Sequence, residues 1–582
     1  MNLLNRINFP SDLKTLSVSD LGVLADEIRQ TLIHRVNETG GHMSPNLGFI
    51  EPTIALHYVF NSPKDKFVFD ISHQCYTHKI LTGRKDGFIN EENYYKYSGF
   101  TAPNESEHDL FQIGHTSTSV TLATGLAKAR DIKGDKENVI AIIGDGSLTG
   151  GEAFEGLNNA AVLNSNFIIV VNDNNMSIAE NQGGLSRHLA NLRDTQGKAE
   201  NNLFKALGFE YFYVENGNNI SDLINVFEKV KDSKSPLVVH LHTLKGKGLK
   251  ESEENKEKFH YVMPHVLDVE DDGMTSSPDY SSITREHIWN KIENGEKIVV
   301  VTPATPSIIG LTPDIREKFG ANYVDVGIAE QHAIGFISGL AKNGVKGVLC
   351  VASSFIQRGY DQISQDLALN NSPAVILVFG GGISDSDATH LGVFDIPLIS
   401  NIPNLIYLAP TNKEECLSML DYALENKTNS IVIKIPNAEL ISVGITDETD
   451  YSKAKFKVVE HGKDVAIIGV GSMFELAKEL KSKLKGQNID ATLINPCFIS
   501  SLDKGLLDDL NREHKLVVTV EDGIVDGGFG QKIASYYGSS NMRVLNYGAE
   551  KEFTDMVDLD EIYECCRLKS DLIVEDIFNI IG

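Results

Sequence analysis

Positive charge is what this sequence is short of. It carries 53 Lys and Arg against 80 Asp and Glu, a net charge of -27 over 582 residues. A nucleic-acid partner needs basic patches that neutralise phosphates, and the balance argues against one. The same excess of one sign favours solubility. Cysteine is scarce too. Six of them, at positions 75, 350, 416, 497, 565 and 566, make neither a disulfide framework nor a CxxC zinc pattern. No apolar stretch reaches the roughly 18 residues that cross a membrane. The opening MNLLNRINFPSDLKTL lacks the apolar core of a secretory signal. These absences lead us to expect a reduced, cytoplasmic protein with no membrane and no nucleic acid.

What remains is an ordinary globular composition, 41% hydrophobic and 8% aromatic. At roughly 150 residues per domain the chain is long enough for about three or four. No internal repeat or low-complexity tract breaks it. Two stretches read as linkers: ESEENKEK (251–258) continuing to DVEDDGMTSSPDYSS (268–282), and ISVGITDETDYSKAK (441–455). They divide the chain into 1–270, 285–440 and 456–582. Each part alternates β-branched runs with helical periodicity, the mark of parallel sheets flanked by helices. In the first part the strands are NVIAIIGD, NFIIVVND and SPLVVHLHT. In the second they are KIVVVT, VKGVLCVA and PAVILVFG. In the third they are KDVAIIGVG, ATLIN and KLVVTVED. The expected architecture is three stacked α/β domains with parallel sheets.

One stretch, GDGSLTGGEAFEG (144–156), is unusual. The strand before it ends on Asp145 between two glycines, although Asp is a poor strand residue and glycine costs chain entropy. The helix that follows places Phe154, Leu157 and Ala161 on one face. A second strand then ends at Asn172-Asp173-Asn174-Asn175-Met176. A right-handed crossover brings both polar tips to the same carboxyl edge of the sheet, where α/β folds bind ligands. Asp145 offers a carboxylate, Asn174 an amide oxygen and the turn at Met176 a backbone carbonyl. Three oxygens with open positions suit Mg²⁺, which completes its octahedron with water and phosphate. The glycines let a diphosphate approach the main chain near a helix amino end. Alone, GDG is most often a plain strand-to-helix turn. Paired with Asn 29 residues later on the next strand, it is a thiamine diphosphate signature.

On these residues the chain resembles the transketolase-like thiamine diphosphate enzymes, most closely the 1-deoxy-D-xylulose-5-phosphate synthase family. The likeness runs nearly full length, through GGHMSPNLGFIEPTIALHYVFNSPKD, DISHQCYTHKILTGR, ESEHDLFQIGHTSTS, NDNNMSI, KFHYV, VDVGIAEQHAIGF and FIQRGYDQISQDLAL. It implies joining of pyruvate to D-glyceraldehyde 3-phosphate with loss of CO₂, thiamine diphosphate and Mg²⁺ as cofactors, and a homodimer. It further implies metal ligation by Asp145, Asn174 and Met176. Cofactor contacts are implied for His73, Gly114, His115, Thr116, Gly146, Ser147 and Asn174, with Gly114 to Thr116 wrapping the diphosphate from a second helix amino end. By the same resemblance Glu330 activates the cofactor and Phe355 stacks on its aminopyrimidine. His42 and His260 move protons, His390 contacts the acceptor with Asp387, and Arg358 belongs to the catalytic set.

The residues themselves leave plainer readings open. Glu330 starts a helix with Ala333, Ile337 and Leu340 on one face, and an acid at a helix start is favoured by the macrodipole. A carboxyl in an apolar wall, its pKa raised by burial, is the alternative that the chemistry needs. A single histidine is usually structural, though its range suits proton transfer near neutral pH. GVGSMFELAKEL lacks the third glycine of a nucleotide-binding turn and is set aside. The departures from the family lie on the acceptor side. Gly380 and Gly381, and later Asn437, stand where two phosphate-gripping arginines are usual. Ala352 and Leu249 replace tyrosines, and the segment after Gly184 is about 40 residues short. Lys434 and Arg358 are the nearby candidates for the missing grip. Three functions stay open: the synthase itself, a related carboligase or transketolase using another aldehyde, and a non-catalytic paralogue.

Overall fold

The computed structural model describes residues 2–268 and 277–581. The chain forms two compact units. The first holds the residues up to 268 together with Gly327–Ala329, and the second holds 277–326 and 330–581. Among the described residues sixteen strands build three sheets. In the first unit β1 (Lys66–Phe69), β2 (Val139–Gly144), β3 (Phe167–Asp173), β4 (Glu210–Val214) and β5 (Pro236–His242) lie in the order β1-β2-β3-β5-β4, all parallel. Alternate residues of β2 and β3 enter separate cores. Ala141, Ile143, Ile169 and Val171 pack under the helices Ser119–Lys133 and Gly151–Ala160. Ile140, Ile142, Ile168 and Val170 pack under Ile50–Val59 and Ile220–Val230. Burial on both faces explains why these strands read as unbroken apolar runs.

Three expectations need correction here. The helix after GDG turns a different face inward: Ala153, Gly156, Leu157 and Ala160 are buried, while Phe154 is exposed. The next helical face is also shifted. Around Glu330 the buried set is Ala333, Ile334, Ile337 and Ser338, with Leu340 only half-buried. ESEENKEK is not a linker. Lys250–Glu254 is helical, and Ser252 is buried with its hydroxyl 2.9 Å from that of Ser44. Beyond it, Gly41 and Val262 pair as a short antiparallel bridge. Residues 269–276 of the supposed linker lie outside the described residues.

The second unit contains two sheets. In β10-β11-β9-β8-β6-β7 the strands are β6 (Ile298–Thr302), β7 (Tyr323–Asp325), β8 (Lys346–Ala352), β9 (Val375–Phe379), β10 (Leu405–Leu408) and β11 (Ser430–Lys434). In β12-β14-β13-β15-β16 they are β12 (Lys457–Glu460), β13 (Val465–Gly469), β14 (Ala491–Asn495), β15 (Leu516–Ile524) and β16 (Arg543–Ala549). All pairings are parallel except β12 with β14, an antiparallel edge that the sequence pattern does not announce. The two sheets are joined by polar groups as well as by apolar packing. Asn495 Nδ2 donates to both carboxylate oxygens of Glu415 at 3.0 Å. Lys434, at the end of β11, is buried with its Nζ 2.8 Å from Asp395 and 3.5 Å from Asp522. Ser472 of the GVGSM turn donates to the same Asp522 at 2.8 Å. Losing one member of a buried ion pair leaves the rest uncompensated, at a cost of about 3–5 kcal/mol. Lys434→Met is therefore expected to lower the melting temperature markedly, measured by calorimetry at neutral pH.

Candidate active site

In the first unit, β2 and β3 carry their polar tips to one edge. Asp145 is 3% exposed. Its Oδ1 accepts the Gly146 N–H at 3.0 Å and its Oδ2 accepts from Asn181 Nδ2 at 2.8 Å. Burial, and then the neighbouring Asp173, push its carboxyl well above the usual range. Asp173 behaves in the opposite way. Although buried, it is held low by His240 and Arg193, which donate at 2.8 and 2.6 Å. Asn172 accepts from Thr243, so of the strand tip's oxygens Asn174 Oδ1 is engaged only by the Met176 N–H, at 3.1 Å. A buried carboxylate served by neutral donors, beside an amide oxygen with a spare lone pair, is a donor set that fits a hard divalent cation.

Two features of this edge have local structural reasons. Gly146 is a glycine because Ser177 lies close: a Cβ there would sit 2.7 Å from that of Ser177. It makes room for the turn after β3. The helix following Gly114-His115-Thr116 begins at Ser119, and a protein carboxylate already sits at its start. Asp70, at the end of β1, accepts from Ser117 N at 2.8 Å and from Ser119 N at 2.9 Å. Gly114 to Thr116 therefore belong to the loop before a helix whose first amide, that of Ser119, is bonded to a protein carboxylate. Ser147 is buried beside them, its carbonyl accepting from the Ser117 hydroxyl at 2.8 Å.

Three sequence-selected histidines meet in the same unit. The rings of His42 and His73 are 5.1 Å apart, His42 and His260 5.7 Å, and His73 and His260 5.4 Å. Burial first, then Lys245, His73 and His42, drive His260 well below its ordinary range, which favours its neutral form. Lys245 escaped the sequence reading. It is buried in the KGKG turn after β5, 3.0 Å from His260 Nδ1, and donates also to the Ser177 carbonyl. Burial brings its ammonium down to about 7. Asn46, Asn181 and Tyr261 were missed likewise.

The second unit holds the remaining set. Glu330 begins the helix Glu330–Lys342, 4% exposed, and burial raises its carboxyl while Arg358, 4.0 Å away, opposes the shift. The apolar-wall expectation for this acid is met in its burial and in the sign of its shift. Phe355 lies edge-on to His390 with ring centroids 5.6 Å apart. His390 Nδ1 is 3.2 Å from Asp387, whose carboxyl stays low through that hydrogen bond in spite of burial.

Three family models match in succession. The amino-terminal model of 1-deoxy-D-xylulose-5-phosphate synthase matches residues 4–200 and 196–243, the pyrimidine-binding domain of transketolase 276–441, and the transketolase C-terminal domain 454–555. The 1-deoxy-D-xylulose-5-phosphate synthase of Carboxydothermus hydrogenoformans is 37% identical over 599 aligned residues, which cover 96% of each chain. The chain belongs to the 1-deoxy-D-xylulose-5-phosphate synthase family. Two further synthases agree. That of Halothermothrix orenii is 39% identical over 93% of this chain and 91% of its own, and that of Clostridium tetani 36% over the whole of both.

Within this family the acceptor-side departures gain a structural context. Lys434 cannot serve as a replacement phosphate grip, because its ammonium is buried and engaged by Asp395 and Asp522. Gly381 accommodates it: a Cβ there would stand 2.5 Å from Lys434 Nζ. Asn437 is exposed at the rim of a cavity of about 530 Å³, which Gly381, Ser472 and Asp522 also line.

Proposed function

We propose that this chain condenses pyruvate with D-glyceraldehyde 3-phosphate, releasing CO₂ and giving 1-deoxy-D-xylulose 5-phosphate. The observation that carries the reading is full-length membership of the synthase family, together with a buried Asp145 and Asn174 on adjacent strand tips. Thiamine diphosphate, when bound, supplies the nucleophilic carbon that takes up the two-carbon unit of pyruvate. Asp145, Asn174 and the Met176 carbonyl are the groups we assign to Mg²⁺. Gly114 to Thr116, Gly146, Ser147 and His73 are assigned to the cofactor, with Phe355 against its aminopyrimidine. Glu330, its carboxyl raised by burial, exchanges a proton with that ring. His42 and neutral His260 move protons around the reacting carbon. His390, oriented by Asp387, and Arg358 serve the aldehyde. The three-part division at 1–270, 285–440 and 456–582, a homodimeric assembly and a cytoplasmic location complete the proposal. Among the described residues no helix is long and apolar enough to cross a membrane.

Purified protein supplied with Mg²⁺, thiamine diphosphate, pyruvate and D-glyceraldehyde 3-phosphate is expected to release CO₂ and form the C5 product, resolved by mass. Absence of that product with both substrates consumed by no other route would end the reading. The acceptor side gives a finer test. With Lys434 spent internally, Asn437→Arg is expected to lower KM for the phosphorylated aldehyde by about 10- to 100-fold, the worth of one charged hydrogen bond. KM for pyruvate should stay where it is in the same steady-state assays.

A further inference from the structure

His42 and His73 come from loops that do not hold themselves. His42 follows two glycines at φ +74° and +127°, and His73 follows Ile71 and Ser72 at φ +60° and +64°. Backbone in this region is maintained only when its surroundings over-determine it. The Tyr76 hydroxyl accepts weakly from the His42 N–H at 3.4 Å, and a second side chain lies between the two loops. Asn46, 1% exposed, uses a single Nδ2 to donate to the carbonyl of His42 and to the carbonyl of His73, both at 2.8 Å. Its Oδ1 accepts the N–H of Tyr76 at 3.0 Å, three residues beyond His73. The carboxamide thus spends both of its N–H groups on two different histidine-bearing loops, and the rings of those histidines meet edge-on at 5.1 Å.

We propose that Asn46 is a positioning residue that sets the spacing and mutual orientation of His42 and His73. It acts through their main chain and touches no reacting atom. The proposal rests on the roles given above, proton transfer for His42 and cofactor contact for His73. Other contacts secure the outer ends of the same loops. Gly41 and Val262 exchange backbone hydrogen bonds at 2.9 Å, and the Ser72 hydroxyl donates to the Ile113 carbonyl at 2.6 Å. Removing Asn46 therefore loosens the junction and leaves the fold its remaining anchors. An aliphatic residue at 46 cannot span the two carbonyls. Aspartate places a second acceptor against them and repels both.

The test uses the full chain with Mg²⁺ and thiamine diphosphate. Asn46→Ala and Asn46→Asp are expected to lower kcat by about 10²-fold, the usual consequence of misplacing a catalytic group by an ångström. KM for the aldehyde should hold, while calorimetric affinity for thiamine diphosphate should fall, because His73 is assigned to the cofactor. In a His42→Ala background Asn46→Ala should cost less than in the wild type, since residues acting as a unit are non-additive and only the part exerted through His73 remains. A readout independent of turnover is the ring ¹H–¹³C NMR of the histidines. His42 and His73 resonances should move in Asn46→Ala, while His57 and His78, a buried pair 2.8 Å apart elsewhere in the same unit, should not. Asn46→Ser, which keeps one donor, is measured alongside and should give a smaller shift. Unmoved His42 and His73 resonances, or a full additive loss in the His42→Ala background, would overturn the proposal. An inactive wild-type protein would instead count against the synthase reading, and the ring shifts would still report on Asn46.

Discussion

Glu330→Gln is expected to lose almost all pyruvate-dependent CO₂ release and still bind thiamine diphosphate. The substitution keeps the shape of the side chain and removes the one proton that can be given and taken back. Glu330 sits on the first turn of a helix whose inner face, Ala333, Ile334 and Ile337, is fully buried. That setting raises its carboxyl, and Arg358 at 4.0 Å tempers the rise. A carboxyl tuned in this way is equipped for proton transfer, and such groups contribute about 10²- to 10⁴-fold to rate. The decisive measurement is exchange of the cofactor's C2 proton with D₂O, followed by NMR. In the wild type it should far outpace that of free thiamine diphosphate, and in Glu330→Gln it should fall to the free rate. Equal exchange in both proteins would remove Glu330 from its assigned role.

Asp145→Asn should have the next largest effect, this time on binding. The neutral amide retains an oxygen for the Gly146 N–H but no charge for a cation. Removing a mere supporting partner of a metal ligand costs about 10–100-fold in affinity, and removing the ligand's charge should cost at least the upper figure. The rise in melting temperature on adding Mg²⁺ and thiamine diphosphate should disappear with it. The protein without cofactor should behave differently. Burial and Asp173 raise the Asp145 carboxyl above its unfolded value. A group raised in this sense weighs against folding once pH exceeds its unfolded pKa of about 4. Asp145→Asn without cofactor should therefore melt no lower than the wild type at pH 7–8, and the difference should close as the pH approaches 4. A lower melting temperature at pH 8 would show that the carboxylate supports the fold instead of serving a cation.

The interior of each sheet could be read directly from the sequence. VIAII, FIIVV, IVVV, VILVF and VAIIG are β-branched runs buried on both faces, and each is a strand. The strands that escaped are β1, β4, β7, β10, β12 and β16, which are the six sheet edges, and β11. Edge strands are covered on one side only, and their residues follow: EYFYV mixes charge and aromatics, KVVE has two charges in four residues, and YVD is three residues long. At the site, side chains picked for their residue type are brought together more legibly than those whose place depends on geometry. The three histidines cluster and Glu330 is buried. Asn46 has no type or spacing that distinguishes it from a loop amide, because its importance lies in two carbonyls 31 residues apart in sequence. Lys245 had a signal that went unused. It follows β5, the sheet neighbour of β3, and so stands on the same carboxyl edge as Asn174.

Asp70 bears on the order in which the site assembles. A helix end normally draws an anion from solution, but here the chain has supplied its own, with both carboxylate oxygens bonded to Ser117 and Ser119. A second anion arriving there meets a carboxylate already bonded at the helix start. If Asp145 holds a cation, as proposed, that ion draws the diphosphate, and the expected order of assembly is divalent ion first or ion and cofactor together. Titrated with EDTA present, pyrophosphate alone should find little to bind.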